Sequence, residues 1–322
     1  MAKRFYNPKK SLILLSIFAL LSVVLYVFYH LPSRWEYALY NRALAVLAIV
    51  MTGVAIALAT MIFQTIVNNR ILTPSILGLD SLYLLIQTLI IFLFGSSTLT
   101  SMNPIVLFFA CTGLMILFAM GLYHFLFKTE QQSLFFLLLV GIIFGTFFQS
   151  LTSFMEVLID PNEFQIAQDI GFASFNRINV DILWIALAGL LATILYTLRY
   201  VRYFDVLALG REQAINLGVD YLAITKRLLI VVAILTSIST ALVGPLTFLG
   251  LLVMNVTFEF IRTYRHAVLI PAAMLIAVIT LVFGQLLVSQ VFTFNTTLSI
   301  IVNFVGGTYF LYLLLRANKK WQ

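Results

Sequence analysis

The chain has 322 residues, of which 62% are hydrophobic and 10% are charged. One globular core cannot bury so much apolar surface, so we expect lipid to be the main solvent and the fold to be that of an all-α integral membrane protein. The net charge of +7 does not indicate nucleic-acid binding, because the basic residues are scattered singly at the ends of apolar runs.

Ten apolar runs approach the length of about 20 residues that a membrane crossing needs. They fall near residues 11–31, 43–66, 76–95, 104–127, 134–155, 180–200, 225–243, 245–261, 267–289 and 296–316. The connections between them are short, so we predict a single transmembrane domain over residues 1–322. The basic start and the apolar run after it resemble a signal peptide, but the run is too long and lacks a small-residue cleavage site. We expect a retained first span.

The distribution of Lys and Arg predicts the orientation of the spans. With a cytoplasmic N-terminus, sixteen of the 19 basic residues fall on inner segments, and Arg34, Arg42 and Arg177 fall outside. The opposite orientation reverses that ratio. Because inner loops carry the excess of Lys and Arg, both termini are predicted to be cytoplasmic.

The most polar stretch of the chain, residues 199–227, lies between two long apolar runs. Its five Lys or Arg place it on the cytoplasmic side. Residues 205–209 and 211–217 are each compatible with a short helix, broken at Gly210 and again at Gly218, because glycine weakens helix interiors and tolerates left-handed backbone. We predict two short surface helices that a cytoplasmic protein can contact.

The longest external segment, residues 156–181, carries five carboxylates and one arginine. Within it, Asp160-Pro161-Asn162 predicts a turn before a new helix. The segment is either a functional outer surface or a merely solvated loop. The two interpretations are equally supported, because the topology rule tolerates acidic residues outside the membrane.

A few polar and small residues fall inside or beside the predicted spans. Asp80 is a functional candidate because it is ionisable at membrane depth, but the dipole of its own helix also stabilises a carboxylate there, and we favour that explanation. Gln64, Asn69, Asn303 and Gly306 are candidates for the translocation path or for packing. Contacts between helices are the more common role of such residues.

The sequence lacks the usual constellations of catalytic or ligand-binding groups. No paired carboxylates, nucleophile with a base, glycine-rich phosphate loop or metal cluster occurs at usable spacing. Cys111 is the single cysteine, and His30, His124 and His266 lie far apart at predicted span ends, where we expect interfacial or solvated side chains. We therefore expect neither an enzyme nor a resident cofactor or metal. If ATP drives the protein, the motor is a separate subunit.

Three stretches at defined spacing carry a family resemblance. They are residues 42–78, with Gln64, Asn69, Pro74, Leu77 and Gly78, residues 209–219, which read LGREQAINLGV, and residues 244–251, which read GPLTFLGL. In this order they resemble the permeases of ABC importers for iron–siderophore complexes, haem and vitamin B12. The resemblance extends from about residue 42 to residue 316. It implies a type II ABC importer permease with about ten transmembrane helices.

The resemblance also implies partners and docking residues. Residues 203–220 would be coupling helices that dock on the ATPase through Leu209, Gly210, Arg211, Glu212, Ala214, Leu217 and Gly218. Arg42 matches a position at which family arginines pair with carboxylates of the binding protein, and Arg34 or Arg177 would replace a second arginine. The partners would be two copies of a cytoplasmic ATP-binding subunit, a second permease chain, related or identical, and an extracytoplasmic siderophore-binding protein.

Departures from the family pattern, among them Arg70 and Met254-Asn255, combine with residues 69–78 and 160–165 to resemble the branch that serves catecholate-type siderophores. The sequence thus predicts a ferric-siderophore importer permease in the cytoplasmic membrane. The alternative is a secondary transporter driven by an ion gradient, with Asp80 as its ion site.

Overall fold

The computed structural model describes residues 8–30, 35–126, 134–176, 178–292 and 296–318. Within these ranges the chain forms fourteen α-helices and one 3₁₀ turn at Pro74–Leu77, and no strand. The helices are α1 (Pro8–Phe28), α2 (Trp35–Val67), α3 (Leu79–Phe94), α4 (Ser96–Ser101), α5 (Pro104–Leu126), α6 (Leu134–Leu158), α7 (Pro161–Ile170), α8 (Val180–Leu198), α9 (Val201–Leu207), α10 (Arg211–Asn216), α11 (Tyr221–Val243), α12 (Leu249–Phe260), α13 (His266–Gln290) and α14 (Leu298–Asn318). The predicted all-α class is confirmed.

Seven helices of the described part are long and apolar enough to cross a membrane, namely α1, α2, α5, α6, α8, α11 and α13. Three shorter apolar helices, α3, α12 and α14, complete a set of ten. Each of the ten predicted spans corresponds to one of these helices. The predicted helix after Asp160 is α7, which Asp160 caps by accepting a hydrogen bond from the Asn162 backbone N–H at 3.0 Å.

Two helices begin later than the sequence predicts, because glycines with positive φ end the preceding turn. Pro74–Leu77 form the 3₁₀ turn, Gly78 follows with φ +79°, and α3 begins only at Leu79. The span predicted from residue 245 is α12, which begins at Leu249 after Gly244 with φ +101°. In both places a helix starts after a break in the preceding segment.

The centre of the bundle is formed by α2, which packs along both α11 and α13. Gly53 lets α2 and α13 approach closely, since a Cβ at this position would lie 3.3 Å from the backbone nitrogen of Val278. On the other side of α13 lies α1, where the rings of Phe18 and Phe283 stack with centroids 6.0 Å apart. These close contacts bury most of α2, α11 and α13 within the protein.

A second close approach joins the break before α3 to α6. A Cβ on Gly78 would lie 2.8 Å from the Cα of Gly145 and 3.2 Å from the carbonyl oxygen of Gly141. Both neighbours are backbone atoms that cannot move aside. Gly78 therefore meets two requirements at once, a left-handed φ and backbone-to-backbone packing.

The helix α12 has 12 residues, which gives a length of about 18 Å at 1.5 Å per residue. A hydrocarbon core of about 30 Å is too thick for it to span. The turn before it, residues 244–248, is covered by protein on two sides. Directly before the turn, Ser174 donates its backbone N–H to the Val243 carbonyl at 2.9 Å. Within the turn, a Cβ on Gly244 would lie 2.9 Å from the Cα of Ala173, and a Cβ on Gly306 of α14 would lie 2.6 Å from the Cβ of Phe248.

Candidate functional site

The glycine-broken segment, defined here as residues 203–220, contains α10 and most of α9. The prediction of two short helices separated at Gly210 and ended before Gly218 is confirmed, with φ of +97° and +79° at the two glycines. The first helix begins at Val201, four residues before the predicted start. The reason is that Phe204 and Leu207, each 1% exposed, fix α9 to the core directly after α8.

Most of the residues predicted to contact the ATPase lie on the surface of this segment. Arg211, Glu212 and Gly218 are exposed, and Leu209 and Leu217 are 56% and 62% exposed. Exposed apolar side chains on a polar segment are compatible with a contact surface for another protein, and contact with the ATPase stays a prediction. Gly210 is partly buried and Ala214 is fully buried. These two residues hold the backbone of the segment and expose little or nothing to a partner.

Asp205 fixes the segment to the first residue of α13. Its Oδ1 accepts a hydrogen bond from the backbone N–H of His266 at 2.8 Å and lies 2.7 Å from Nδ1 of the same residue. The other ring nitrogen of His266 lies 3.0 Å from Oγ1 of Thr65 on α2. The prediction of an interfacial or solvated His266 is wrong, since the residue is 5% exposed. His30 and His124 are exposed as expected.

Sequence reasoning did not connect Asp205, His266 and Thr65. The three residues lie on three helices, and 61 positions separate Asp205 from His266. No spacing rule within one helix reports such a pairing. The sequence indicates only that Asp205 and His266 both lie beside predicted span ends. An Asp or a His without a partner is equally acceptable there.

Aromatic and basic residues surround the start of α9. The hydroxyls of Tyr196 and Tyr200 lie 3.1 Å apart, and the Arg202 guanidinium lies over the ring of Tyr203, 4.9 Å from its centroid. The hydrogen bond with Tyr196, followed by the hydrogen bond and charge of Arg227, lowers the pKa of Tyr200 from its ordinary value of 10.0. Such aromatic belts are typical of a membrane interface.

Arg42 is engaged within the chain. Its guanidinium donates hydrogen bonds to the carbonyl oxygens of Tyr26, Val27, Tyr29 and His30 at 3.3, 3.0, 2.7 and 3.3 Å. It therefore caps the carbonyl end of α1, where backbone acceptors lack helical partners. Docking of a binding protein by Arg42 stays a prediction. The other two predicted docking residues, Arg34 and Arg177, lie outside the described residues.

Arg42→Gln is expected to lower the apparent Tm of the purified permease in detergent by about 5 °C, because several charge-assisted hydrogen bonds to α1 are lost. Arg42→Lys keeps the charge but not the forked donor geometry, so we expect an intermediate shift. Thermal unfolding followed by size-exclusion chromatography measures both. An unchanged Tm combined with loss of binding-protein docking would show that Arg42 acts at the outer surface and not as a cap.

The four residues predicted for the translocation path or for packing lie in two places. Gln64 donates its side-chain amide to the Arg70 carbonyl at 2.8 Å, and the side-chain oxygen of Asn69 accepts the Ile71 N–H at 2.9 Å. Both bonds shape the turn that follows α2. Gly306 packs on Phe248, and the side-chain oxygen of Asn303, one turn earlier on α14, is buried without a partner among the described residues. These contacts are those of packing residues, and a role in the path stays a prediction.

Asp80 lies in the first turn of α3, and its Oδ1 accepts a hydrogen bond from Oγ1 of Thr240 on α11 at 3.0 Å. A small cavity beside it is lined partly by hydroxyl-bearing residues of α2, the 3₁₀ turn and α11, namely Thr60, Thr73, Ser75, Thr236 and Thr240. The dipole of α3 and the Thr240 hydroxyl together stabilise the carboxylate, which fits the dipole interpretation. Among the described residues, no group of three His, Cys, Asp or Glu side chains is placed to hold a metal ion.

The chain is similar to known transport proteins. Residues 10–316 match the FecCD transport family. The petrobactin import system permease protein YclO of Bacillus subtilis (strain 168) is 58% identical over 315 residues, which are 98% of this chain and 99% of that protein. The petrobactin import system permease protein FatC of Bacillus anthracis is 37% identical over 276 residues, or 86% of this chain and 78% of that protein.

A solved structure of an ABC transporter of metal-chelate type, in an inward-facing conformation, matches with a TM-score of 0.82 at 21% identity. The match covers 96% of this chain and 99% of the solved chain. At that identity the likeness demonstrates a shared fold. The chain therefore shares the fold of that solved transporter chain.

Proposed function

This chain belongs to the FecCD transport family, and we propose that it is the permease subunit of an ABC importer that moves a ferric siderophore across the cytoplasmic membrane. The observation that carries the proposal is the 58% identity to a petrobactin import permease over nearly the full length of both chains. The proposed cargo is ferric petrobactin or a closely similar chelate. This cargo is consistent with the catecholate-type branch that the sequence predicts.

ATP hydrolysis is assigned to a partner subunit, of which two copies would bind below two permease chains. The full sequence contains no G-x-x-x-x-G-K-[ST] phosphate loop, which an ATPase of this class requires. The exposed apolar side chains of Leu209 and Leu217, beside the charges of Arg211 and Glu212, suit a docking surface for that subunit. Docking there requires the glycine-broken segment and both termini to be cytoplasmic, as the Lys and Arg distribution predicts.

Transport would follow from movement of rigid helices around a path between two permease chains. Closure of the ATPase dimer displaces the glycine-broken segment, and the helices fixed to it rock against the others, which exposes the path to one side at a time. An extracytoplasmic binding protein delivers the chelate to the outer face. The second permease is a related or identical chain.

Deletion of this chain is expected to abolish uptake of iron-labelled ferric petrobactin by intact cells, and a plasmid copy is expected to restore it. Replacement of the phosphate-loop lysine in the partner ATPase should abolish uptake equally. An uncoupler should leave uptake intact as long as cellular ATP is maintained. Iron uptake over a few minutes measures all three conditions.

Two results would redirect this proposal. Loss of uptake in the uncoupler at constant ATP, together with loss in Asp80→Asn, would favour the ion-gradient-driven transporter. If the deletion strain took up ferric petrobactin normally but lost uptake of a ferric hydroxamate siderophore, the importer class would stand and the proposed cargo would be wrong.

A further inference from the structure

Asp205, His266 and Thr65 form one hydrogen-bonded chain across three helices. It runs from Oδ1 of Asp205 on α9 to Nδ1 of His266 on α13 at 2.7 Å, and from Nε2 of His266 to Oγ1 of Thr65 on α2 at 3.0 Å. Thr65 continues to the Met61 carbonyl within α2 at 2.7 Å. This hydrogen-bonded chain of side chains therefore joins the glycine-broken segment to the two long helices α2 and α13.

The contact at α13 is a helix cap supplied by a different element. The first N–H groups of a helix lack partners within the helix, and Arg265, the residue before α13, makes no side-chain cap. Asp205 supplies the missing acceptor to the N–H of His266 at 2.8 Å, and its charge is favourable at a helix N-terminus. Any displacement of α9 must therefore move the start of α13 or break this cap.

The His266 ring is fixed on several sides. Both of its nitrogens are engaged, and the ring of Phe204, itself 1% exposed, lies with its centroid 5.9 Å away. With the Nδ1–H donated to Asp205, the single proton of the Thr65 hydroxyl goes either to Nε2 or to the Met61 carbonyl, and in the second case the hydroxyl oxygen accepts from Nε2–H. The ring cannot turn without losing both hydrogen bonds, so it behaves as a rigid link between α9 and α2.

The two long helices that the hydrogen-bonded chain reaches, α2 and α13, lie at the centre of the bundle. α2 and α13 pack directly on each other, and Gly53 allows the close approach. The glycine-broken segment also carries Leu209, Ile215 and Leu217, each at least 50% exposed. The segment thus has exposed apolar side chains while Asp205 fastens it to the core.

We propose that Asp205, His266 and Thr65 are positioning residues that transmit displacement of the glycine-broken segment to α2 and α13. This inference rests on the proposed docking of the ATPase on that segment. The link sets how much transport each hydrolysed ATP produces. It does not determine whether the ATPase binds.

The test uses the complete importer, purified through a tag on this chain together with its partner subunits and placed in lipid vesicles. Asp205→Ala and Thr65→Val are each expected to lower the uptake of ferric petrobactin per ATP hydrolysed by about fivefold, the equivalent of about one hydrogen bond. The double variant should fall no further than the worse single variant, because both changes break the same chain. Asp205→Asn and Thr65→Ser keep an acceptor and a hydroxyl, so they should recover most of the loss.

Matched controls separate the link from general damage. Thr257→Val removes another buried threonine hydroxyl that donates to a carbonyl of its own helix, that of Val253 at 2.7 Å, and Glu259→Ala removes an exposed carboxylate at the end of α12. Both should keep the wild-type ratio of uptake to ATP hydrolysis. The amount of co-purified ATPase should equal that of the wild type in every variant.

Wild-type uptake per ATP in both Asp205→Ala and Thr65→Val would overturn the inference. A parallel fall of uptake, ATP hydrolysis and folded protein would also overturn it, because the residues would then be merely structural. Failure of the docking proposal is visible separately, as unchanged ATPase co-purification in Glu212→Arg. A lowered ratio of uptake to hydrolysis, with full ATPase binding and rescue by the conservative variants, supports the link.

Discussion

Gly210→Pro is expected to reduce ferric siderophore uptake by at least about tenfold while the permease still inserts into the membrane. Gly210 has φ +97° and ψ 168°, a region that is essentially open to glycine alone. Proline fixes φ near −65° and removes the N–H, which Gly210 donates to the Leu207 carbonyl at 3.0 Å. The start of α10 must then change direction, and the exposed face of the glycine-broken segment no longer fits its partner.

Gly210→Ala should already impair uptake, because alanine is strained at the φ and ψ of this position. Gly121→Ala is the matched control, since that glycine has open space around it and is in the interior of α5. Membrane content of the tagged chain, co-purification of the ATPase and iron uptake are measured for each variant. Normal uptake in Gly210→Pro would mean that the glycine-broken segment is not a docking surface.

Glu212→Arg tests the same surface by charge, without changing the backbone. Glu212 is exposed in the first turn of α10, so its reversal is expected to abolish ATPase co-purification and uptake. Glu36→Arg is its control, because Glu36 is also an exposed acid in a first turn, that of α2, and loses the same favourable dipole interaction. ATPase binding that is lost equally in both variants would contradict a specific contact at Glu212.

Gly78→Val is expected to eliminate most of the correctly folded permease. A side chain at φ +79° costs about 1 to 3 kcal/mol, and overpacking against the backbone of Gly145, 2.8 Å from the new Cβ, costs about as much again. Gly145→Ala is expected to be milder, because its Cβ would lie 3.2 Å from the Cα of Gly78 and no positive φ is involved. Both changes act on the fold and not on ATPase docking.

The measurement is the fraction of detergent-extracted protein that elutes as a single species, together with its apparent Tm. Gly113→Ala is the control, since no neighbouring atom lies within 4 Å of the added Cβ. A monodisperse Gly78→Val protein with the wild-type Tm would show that α3 and α6 separate without cost. The close approach of the 3₁₀ turn to α6 would then not be needed for folding.

The features that could be predicted from the sequence are those that depend on local composition. Apolar length located ten helices, because each needs a run of residues that lipid tolerates. Gly210 and Gly218 located the breaks around α10, because the conformational freedom of glycine is a property of one residue. The start of α7 after Asp160 could also be predicted, because the capping residue and the helix are adjacent in sequence.

The features that could not be predicted depend on partners far away in the chain. Arg42 caps α1, and its position in the sequence is equally compatible with an outer docking residue. His266 is buried because Asp205 and Thr65, 61 and 201 residues away, engage both ring nitrogens. The early start of α9 follows from burial of Phe204, which no pattern within seven residues reveals. Tertiary pairing therefore decides the details of the candidate site.

The short length of α12 limits which parts of the importer can move. The turn at residues 244–248 has backbone groups that hydrocarbon cannot satisfy, so at membrane depth we expect either protein or a water-filled cavity to cover it throughout the transport cycle. Its cover comes from the segment around Ser174 and from α14 at Gly306. We therefore expect these pieces to move together with α11 and α12 as one body, and we expect helices to slide past each other only at the remaining contacts.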